Sequence, residues 1–462
     1  MKTNIKTRKV CMALPVAMCL ATATLALAQA DMVLPKGAAI SQQRDAVEKS
    51  ERIMAEAQKR RGLLAQYLFM REAYAGDQSF PFRVIFNQYL SWYQTWVGDY
   101  ERARATFTIA QPATAEDAAS PLQGGEFKAE PAIRVIADLA KGRQAVFFNE
   151  NHSYALTRTL TVQILAALRE EGFDTFAAET LYDTDIDAGL QARGYPTSET
   201  GFYTEEPIYA EMVRTALRLG YRVVAYEALS DATGDAREAE QARNLHEAVF
   251  KRDPDARLVL NAGYAHIQES GRYLGGVAMA QHFRRITRID PLTVEQTMLL
   301  PHANASSDHP YYGAIIASAK PTVPIAFRTA KGKPWSLRKD GYDVSVVFPP
   351  ETSRRGRPSW LDLGGLRVPY TVSGSLCENA YPCMVEARHD GETDDAIPAD
   401  RVVIEWLGRN PAGGDQVRES SDPIPLTELW LRPGRYQLIV RDLGNQKRQR
   451  STITVRAPAH SP

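Results

Sequence analysis

Two short apolar runs of this chain end in the same phrase, at Asn149-x-x-His152 and at Gly263-x-x-His266. Each run has the length of a strand, and the Asn or Gly after it predicts a tight turn. Imidazole exchanges protons near neutral pH and also binds metal ions. The two phrases therefore predict two strands that end at residues suited to acid–base or metal chemistry.

Carboxylates stand at the ends of these and neighbouring predicted strands. Glu150 belongs to the first phrase, Glu179 follows residues 175–178, and Glu227 follows residues 222–226. Helical patterns separate the strands, for example residues 153–171 with an apolar residue on every fourth position. Alternating strands and helices predict a parallel sheet whose carboxyl ends share one edge. We therefore expect the carboxylates and the two histidines to meet in one crevice.

Such a cluster allows two kinds of chemistry. Isolated ionised groups are costly to bury, so converging ones need a metal, a substrate or each other. His152, Glu179 and His266 are possible ligands of a divalent metal. The same groups suit metal-free work, in which one histidine is the general base on water and a carboxylate orients it. Taken singly, each of these residues could instead cap a helix or pair with an arginine.

The remaining pattern sets the organisation. We predict an α/β fold with a mostly parallel sheet flanked by helices, an N-terminal helical segment and a C-terminal all-β, sandwich-like module. The expected boundaries are a signal peptide at 1–30, helices at 31–125, the α/β domain at 126–365 and the β module at 366–462. Residues 89–107, with a turn at Gly98, resemble one helix pair of the tetratricopeptide type. Because one such repeat cannot bury its own face, we expect these helices to pack on the next domain, with binding of a protein partner as the alternative. Further strands are expected at Ile315–Ile316, 323–327 and 344–348.

The N-terminus has the pattern of a secretory signal. Four basic residues precede an apolar run from Val10 to Leu27, and Ala28-Gln-Ala30 is an A-x-A cleavage sequence. We expect a periplasmic or secreted protein of bacterial type that keeps no stable membrane insertion after cleavage. In an exported protein, Cys377 and Cys383 are expected to form a structural disulfide.

Composition excludes one class of partner. Lys plus Arg number 55 and Asp plus Glu number 55, so the formal net charge is zero. No basic patch or stripe stands out, and we expect no nucleic acid as partner. The substrate is expected to be a small molecule or a peptide.

Residues 132–290 resemble the superfamily of erythromycin esterase, the haem-binding ChaN proteins and the Tiki/TraB proteins. The likeness lies in Phe148-Asn-Glu-Asn-His152, in Ala177-Ala-Glu179, and in the later stretches Arg237-Glu-Ala-Glu-Gln-Ala-Arg-Asn244 and Asn261-Ala-Gly-Tyr-Ala-His266. Members of the superfamily begin with a strand, a G-E-x-H turn, a helix and a strand that ends in Glu. Asn149 stands where the family usually has Gly, and Asn tolerates positive φ.

The resemblance implies roles for individual residues. It matches His152, Glu150, Glu179 and His266 to the family's two histidines and acidic positions, as catalytic or metal-binding residues. Arg237 matches a polar position of the family, and its guanidinium makes it a further catalytic candidate, as a donor to a developing oxyanion or a substrate carboxylate. We expect three further polar positions to bind a cofactor or ligand, namely Tyr264, Asn244 and Glu227. Strand logic supports Glu227 more than the family motif does.

The superfamily implies more than one activity. The expected function is an exported hydrolase that activates water at a His/Glu site, with or without a divalent metal, on an ester or peptide. The first alternative is a haem- or iron-binding envelope protein of the ChaN type, because Tyr154, Tyr203, Tyr226 and Tyr264 are near the same edge and a phenolate can hold haem iron. The second is an inactive scaffold that binds partners. The cofactor is left open between a divalent metal, haem and none.

Overall fold

The computed structural model describes residues 38–182, 189–405, 416–417 and 424–457. The expected signal peptide at 1–30 lies outside these residues. The fold is α/β: a large, mostly parallel sheet carries helices on both faces, an N-terminal helical region packs against it, and antiparallel sheets follow at the C-terminus. The predicted fold class is confirmed.

Eight strands form the main sheet, in the order β1-β7-β8-β6-β2-β5-β3-β4. All neighbours from β8 to β4 pair in parallel, whereas β7 runs antiparallel to β8 and to β1. The strands are β1 Phe127–Pro131, β2 Ala145–Glu150, β3 Thr175–Ala178, β4 Arg222–Val224, β5 Leu258–Gly263, β6 Leu292–Leu299, β7 Ile325–Thr329 and β8 Val344–Val347.

Helices connect these strands and cover the sheet. Pro207 suits the first turn of its helix because it needs no amide partner there, and the side chain of Glu206 accepts the amides of Ile208 and Tyr209. The helices are α1 Ala38–Gln58, α2 Leu63–Gly76, α3 Phe80–Trp96, α4 Tyr100–Thr106, α5 Ala132–Ala140, α6 Leu156–Glu170, α7 Leu190–Arg193, α8 Pro207–Arg218, α9 Asp235–Leu245, α10 Met279–Thr287 and α11 Pro310–Ala319. A π-turn, His246–Phe250, continues α9.

The alternation of side chains along β2 divides the core into two layers. Val146 and Phe148 pack with α6 and α8 on one face, and Ala145 and Phe147 pack with α9 and α10 on the other. Every residue of β2 and β5 is buried, as expected for central parallel strands. These strands therefore fix the position of whatever follows their carboxyl ends.

The N-terminal helices share the core of the first face. Trp92 and Trp96 of α3 meet the ring of Phe202 edge-on, at centroid distances of 5.5 and 5.2 Å. The hydroxyl of Ser91 donates to that of Ser153 at 2.7 Å, close to the predicted site. The predicted helix pair is present, with its turn at Val97–Asp99, and it packs onto the α/β core.

The C-terminal module has a core of its own. A four-stranded antiparallel sheet has the order β14-β13-β17-β18, and short pairs β11/β16 and β12/β15 lie beside it. The predicted disulfide joins Cys377 and Cys383. The strands are β11 Val368–Ser373, β12 Ala380–Tyr381, β13 Cys383–His389, β14 Asp400–Ile404, β15 Gln416–Val417, β16 Leu426–Leu431, β17 Gly434–Arg441 and β18 Lys447–Val455, after the short β9 Ser353–Arg354 and β10 Arg357–Pro358.

Two details differ from the expectations. Ile315–Ile316 lies inside α11 rather than in a strand, because Pro310 begins a helix there. Strand β6, which pairs with β2, was not predicted, since Thr293, Glu295 and Gln296 interrupt its apolar pattern although all are fully buried. Across the described residues, no helix is both long and apolar enough to span a bilayer.

Candidate functional site

Four neighbouring parallel strands bring the predicted residues to one edge of the sheet. In the register of β2 and β5, Glu150 lies opposite Gly263, and β3 and β4 follow on the other side of β5. Glu179 directly follows β3, and its amide donates to the carbonyl of Asn261 at 3.0 Å. His152 and His266 follow β2 and β5 within three residues. We call His152, Glu179 and His266 the His–Glu site.

Among the described residues, His152 is hydrogen-bonded through only one of its two ring nitrogens. Its Nδ1 lies 2.7 Å from Oε1 of Glu150, and its Nε2 finds no hydrogen-bond partner among the described residues. A carboxylate at Nδ1 favours the tautomer with the proton there, which leaves the Nε2 lone pair to act as a base. The ring stacks on Tyr203 at 4.1 Å between centroids and meets Tyr264 edge-on at 4.9 Å.

Glu150 is itself held by a buried arginine. Arg158, in the first turn of α6, donates to both oxygens of Glu150 through Nε and Nη2, and through Nη1 to Glu206 at 2.9 Å. Burial alone would raise the pKa of Glu150, but Arg158 and His152 outweigh it and lower that pKa. Glu206 accepts the hydroxyl of Tyr100 at 2.6 Å, so a chain of polar contacts links α4 to His152.

Glu179 lies between the two imidazoles. Its Oε2 is 3.6 Å from Nε2 of His152 and accepts the amide of Gly263 at 2.6 Å. Its Oε1 is 3.4 Å from Nε2 of His266 and accepts Nη2 of Arg237 at 3.1 Å. Burial opposes the charge, but His266, His152 and Arg237 together lower the pKa of Glu179 to about 2. Glu179 is therefore a carboxylate at any physiological pH.

His266 repeats the arrangement of His152. Its Nδ1 lies 2.8 Å from Oε2 of Glu238, which also accepts the amide of Met279 at 2.8 Å. Burial lowers the pKa of His266, but the carboxylates of Glu238 and Glu179 outweigh burial, and the pKa is raised. Each imidazole thus has a carboxylate at Nδ1 and directs Nε2 at Glu179, and His266 favours its protonated form.

Arg237 and Glu227 form the outer wall of the His–Glu site. Arg237 donates from Nε and Nη2 to Glu227 at 3.1 and 3.0 Å, and Gln241 donates to Glu227 at 2.9 Å. Arg237 therefore acts on the site by holding Glu179. Asn244 donates to the carbonyl of Glu227 at 2.9 Å, and both residues line a cavity of about 680 Å³ beside β4.

The turn expected at Asn149 is absent, which is a correction. Asn149 is the fifth residue of β2, with extended backbone, and its amide side chain ties the strand end to the carbonyl of Tyr264 at 2.9 Å and to the amide of Gln296 at 2.6 Å. The left-handed residue after β5 is Tyr264 itself, at φ 45°. Asn149 and Gly263 therefore have different structural roles. Glu150, rather than Asn149, is the register partner of Gly263.

Gly263 is required because the site closes directly over it. A Cβ at this position would lie 2.2 Å from Nε2 of His152 and 3.0 Å from Oε2 of Glu179. Contacts of that length are not tolerated, so a side chain here would displace the imidazole. The family-like glycine thus serves close approach rather than an unusual φ.

Three supporting residues were not assigned from the sequence, and a fourth, Tyr203, was considered only as a haem ligand. Arg158, Glu206, Glu238 and Tyr203 are buried and contact the predicted residues directly or through one partner. A signal existed for Arg158, a lone charge among Leu and Thr in the first turn of α6, and for Glu238, the neighbour of Arg237. Glu206 and Tyr203 lie about 50 residues from His152 in a loop, where no pattern links them to it.

The described residues do not fit a metal centre. Among them no group of three His, Cys, Asp or Glu side chains is arranged to hold an ion. The donor types of the His–Glu site suit zinc, but both oxygens of Glu179 already accept N–H groups, from Gly263 and Arg237. We therefore derive the chemistry of the site from its side chains alone.

The tyrosines considered for haem are not poised as phenolates. Burial is the main cause that raises the pKa of Tyr154, Tyr226 and Tyr264. Tyr154 donates to Glu351 at 2.9 Å, away from the site, and Tyr264 donates to Asn151 at 3.3 Å. Tyr203 lies flat against His152. Tyr154 therefore lies outside the site, whereas Tyr203 and Tyr264 pack against the ring of His152.

Comparison with known proteins gives little guidance. No family model and no curated protein matches the chain. Among solved structures, the type III effector HopBA1 is 12% identical with a TM-score of 0.27, over 40% of this chain and 96% of that one. A crystal structure of bacterial protein toxins is 16% identical with a TM-score of 0.30, over 56% and 64%. RRSP, a MARTX toxin effector domain from Vibrio vulnificus, is 14% identical with a TM-score of 0.28, over 50% and 51%.

The chain thus spans only about half of the RRSP chain and under two thirds of the other toxin chain. Likenesses at these TM-scores carry no argument about the fold or the activity of this protein. The functional conclusion rests on the site itself.

Proposed function

We propose that this protein is an exported hydrolase related to the erythromycin esterase, ChaN and Tiki/TraB superfamily, acting on an ester or peptide through the His–Glu site. One observation carries the proposal: two imidazoles, each with a buried carboxylate at Nδ1, direct Nε2 at the same glutamate. A base and an acid whose environments differ are the requirement for hydrolysis near neutral pH.

His152 is the base in this proposal. Its Nε2, without a partner, takes a proton from water while the water oxygen attacks the carbonyl carbon of the substrate. Glu150 keeps the Nδ1 proton in place and stabilises the imidazolium that forms, as Arg158 keeps Glu150 ionised.

His266 is the acid. Its raised pKa favours the protonated ring, whose Nε2–H donates first to the developing oxyanion and then to the leaving oxygen or nitrogen. The bond from the carbonyl carbon to the leaving group breaks as that proton is transferred. Glu238 fixes the tautomer, and Arg237 holds Glu179 between the rings. The protons balance. His152 gains one proton from water, His266 loses one to the leaving group, and solvent then carries a proton from His152 back to His266.

Hydrolysis of a panel of esters, lactones and peptides tests the proposal. Wild type is expected to turn over at least one class, equally with a chelator and with added Zn²⁺. His152→Ala and Glu179→Ala are expected to lose about 10²-fold or more in kcat, while His282→Ala, a histidine outside the site, keeps wild-type turnover.

Two outcomes would contradict the proposal. Wild type without turnover of any ester, lactone or peptide would contradict the proposal and leave the haem-binding and scaffold alternatives. Unchanged turnover in His152→Ala would show that a different site is responsible. A saturable Soret shift on haem titration, in place of turnover, would support the haem-binding alternative, and its absence would remove that alternative.

A further inference from the structure

A second buried charge cluster lies where α8 meets the C-terminal β module. It surrounds Glu211, five residues after Glu206, the residue that caps α8. Glu211, fully buried, accepts Nη2 of Arg218 at 3.0 Å, Nη2 of Arg367 at 3.1 Å and Nε of Arg432 at 2.6 Å. One carboxylate thus faces three guanidinium groups. Arg218 and Arg432 are partly exposed, so solvent screens their charge, whereas Arg367 is 2% exposed.

A fourth guanidinium joins this cluster from the same face of α8. Arg214, 4% exposed, pairs with Glu392 through Nε at 2.9 Å and Nη2 at 2.7 Å. Four arginines therefore share two carboxylates. Asp400 is the other carboxylate that interacts electrostatically with Arg367. Both of its oxygens accept Nη2 of Arg357, at 2.6 and 2.7 Å. Positive charge exceeds negative charge in this part of the interface.

Several buried polar atoms of this cluster lack a hydrogen-bond partner among the described residues. Nη1 of Arg214, Nε and Nη1 of Arg367, and Nε2 of His389 are buried and find no hydrogen-bond partner among the described residues. Arg367 donates to one side-chain acceptor with one of its three nitrogens. A buried guanidinium N–H without an acceptor is costly, which is why such groups are normally satisfied by a carboxylate, an anion or water.

His389 belongs to the same cluster and is uncharged. Its ring contacts Tyr436 at 4.8 Å between centroids, and burial together with Arg214 and Arg367 lowers its pKa to about 3. A neutral imidazole can donate one N–H without adding a further positive charge. His389 can therefore donate to the same acceptor as Arg214 and Arg367.

We propose that Arg214, Arg367 and His389 bind a small tetrahedral oxyanion, phosphate or sulfate, between α8 and the C-terminal module. Such an anion offers several acceptor oxygens that guanidinium groups contact in pairs, and its charge offsets the excess of arginine. It joins two parts of the chain, α8 of the α/β domain and β13 of the module. Binding is therefore coupled to the docking of the module, and it does not depend on the proposed hydrolysis.

Calorimetric titration of the full protein with sodium phosphate at pH 7, against sodium chloride at equal ionic strength, tests this proposal. Saturable binding of one phosphate per chain is expected, together with a higher Tm in phosphate or sulfate than in chloride. Water alone on these donors would give no saturable heat and only the general stabilisation that excluded salts such as phosphate and sulfate provide. Absence of saturable heat with phosphate would overturn the proposal, whatever the Tm values in the three salts.

Two variants locate the site, and a third is the matched control. Arg367→Met is expected to weaken phosphate binding at least ten-fold. His389→Leu, which removes no charge, is expected to weaken it about ten-fold and covers the case in which Arg367→Met does not fold. Arg441→Met removes an arginine of the same module that pairs with Glu386, and it should leave phosphate affinity unchanged. Equal weakening in Arg441→Met and His389→Leu would mean diffuse charge screening and would also overturn the proposal.

Discussion

Single atoms decide what the two histidines can do. Each imidazole is fixed by a buried carboxylate at Nδ1, Glu150 for His152 and Glu238 for His266, and each presents Nε2 to Glu179. What differs is the wider surroundings: Arg158 neutralises the first carboxylate, and the second imidazole has the raised pKa. Chemically equal rings thereby take unequal roles.

The acid role of His266 predicts the alkaline limb of the pH profile. Because its pKa is raised, the protonated form survives above the usual histidine value of about 6.5 and is lost as pH rises through the raised pKa. We expect kcat/KM to fall along that limb. Glu238→Gln, which removes the nearest carboxylate, should move the limb to lower pH.

Glu240→Gln is the control for that measurement. Glu240 lies on the same helix but bonds the loop at Leu229 and Ser230. Its removal should leave the alkaline limb in place. An alkaline limb that stays at the same pH in Glu238→Gln would contradict the assignment of His266 as acid.

Gly263 predicts a steric result. Gly263→Ala puts a Cβ 2.2 Å from Nε2 of His152, so we expect loss of turnover together with about 1–3 kcal/mol of stability. Gly313→Ala is the matched control, because Gly313 lies in α11 with no atom within 4 Å of the added Cβ and should gain up to about 1 kcal/mol. Urea unfolding and kcat are measured on both. Wild-type turnover in Gly263→Ala would contradict the packing of the site.

At the scale of elements, α6 and α8 connect the site to the rest of the fold. Arg158 of α6 spans Glu150 and Glu206, and Glu206 caps α8, whose Tyr209 donates its hydroxyl to the carbonyl of Glu179. The strands set the positions of the residues of the His–Glu site, and these two helices set their orientation.

Arg158→Met is expected to be severe. It leaves the carboxylates of Glu150 and Glu206 buried without their cation, which costs about 3–5 kcal/mol. Arg169→Met, on the same helix, breaks bonds to the carbonyls of Leu219 and Phe173 at a partly exposed position and should cost about 1 kcal/mol. Urea unfolding measures both values. Equal costs would show that the buried ion pairs do not stabilise the fold.

The sequence predicted the elements that carry the site better than those that support it. Apolar runs with a polar end made β2, β3 and β5 recognisable, and their parallel pairing made the meeting of His152, Glu179 and His266 predictable. Strand β6 escaped because its buried Glu295 and Gln296 look like surface residues. Glu206 and the contact of Tyr203 with His152 were not predicted, because loop contacts between distant residues leave no local period.

At the scale of the whole molecule, the C-terminal module has a separate core and a disulfide of its own. Cys377 and Cys383 close a loop with a sequence separation of 6. Chain entropy gives such a small loop roughly 2–3 kcal/mol of stabilisation. Because the loop lies in the module, the His–Glu site does not depend on it directly.

Replacement of both cysteines by serine should therefore act locally. We expect a loss of roughly 2–3 kcal/mol from the module, seen as faster hydrogen exchange in β13 and β17, with wild-type kcat at low temperature. Exchange in β2 and β5 serves as the internal control. Equal acceleration there would show that module and α/β domain unfold as one unit.

The stacking of Tyr203 on His152 has a kinetic consequence. The side chain of His152 is fully buried and Tyr203 covers one face of its ring, so we expect a substrate to reach Nε2 after this phenol ring moves aside. If that motion is slower than bond cleavage, nitrophenyl and alkyl esters of one acid share the same kcat, since the leaving group no longer matters. Added glycerol would then slow both esters in proportion to viscosity, and Tyr203→Ala would restore their difference.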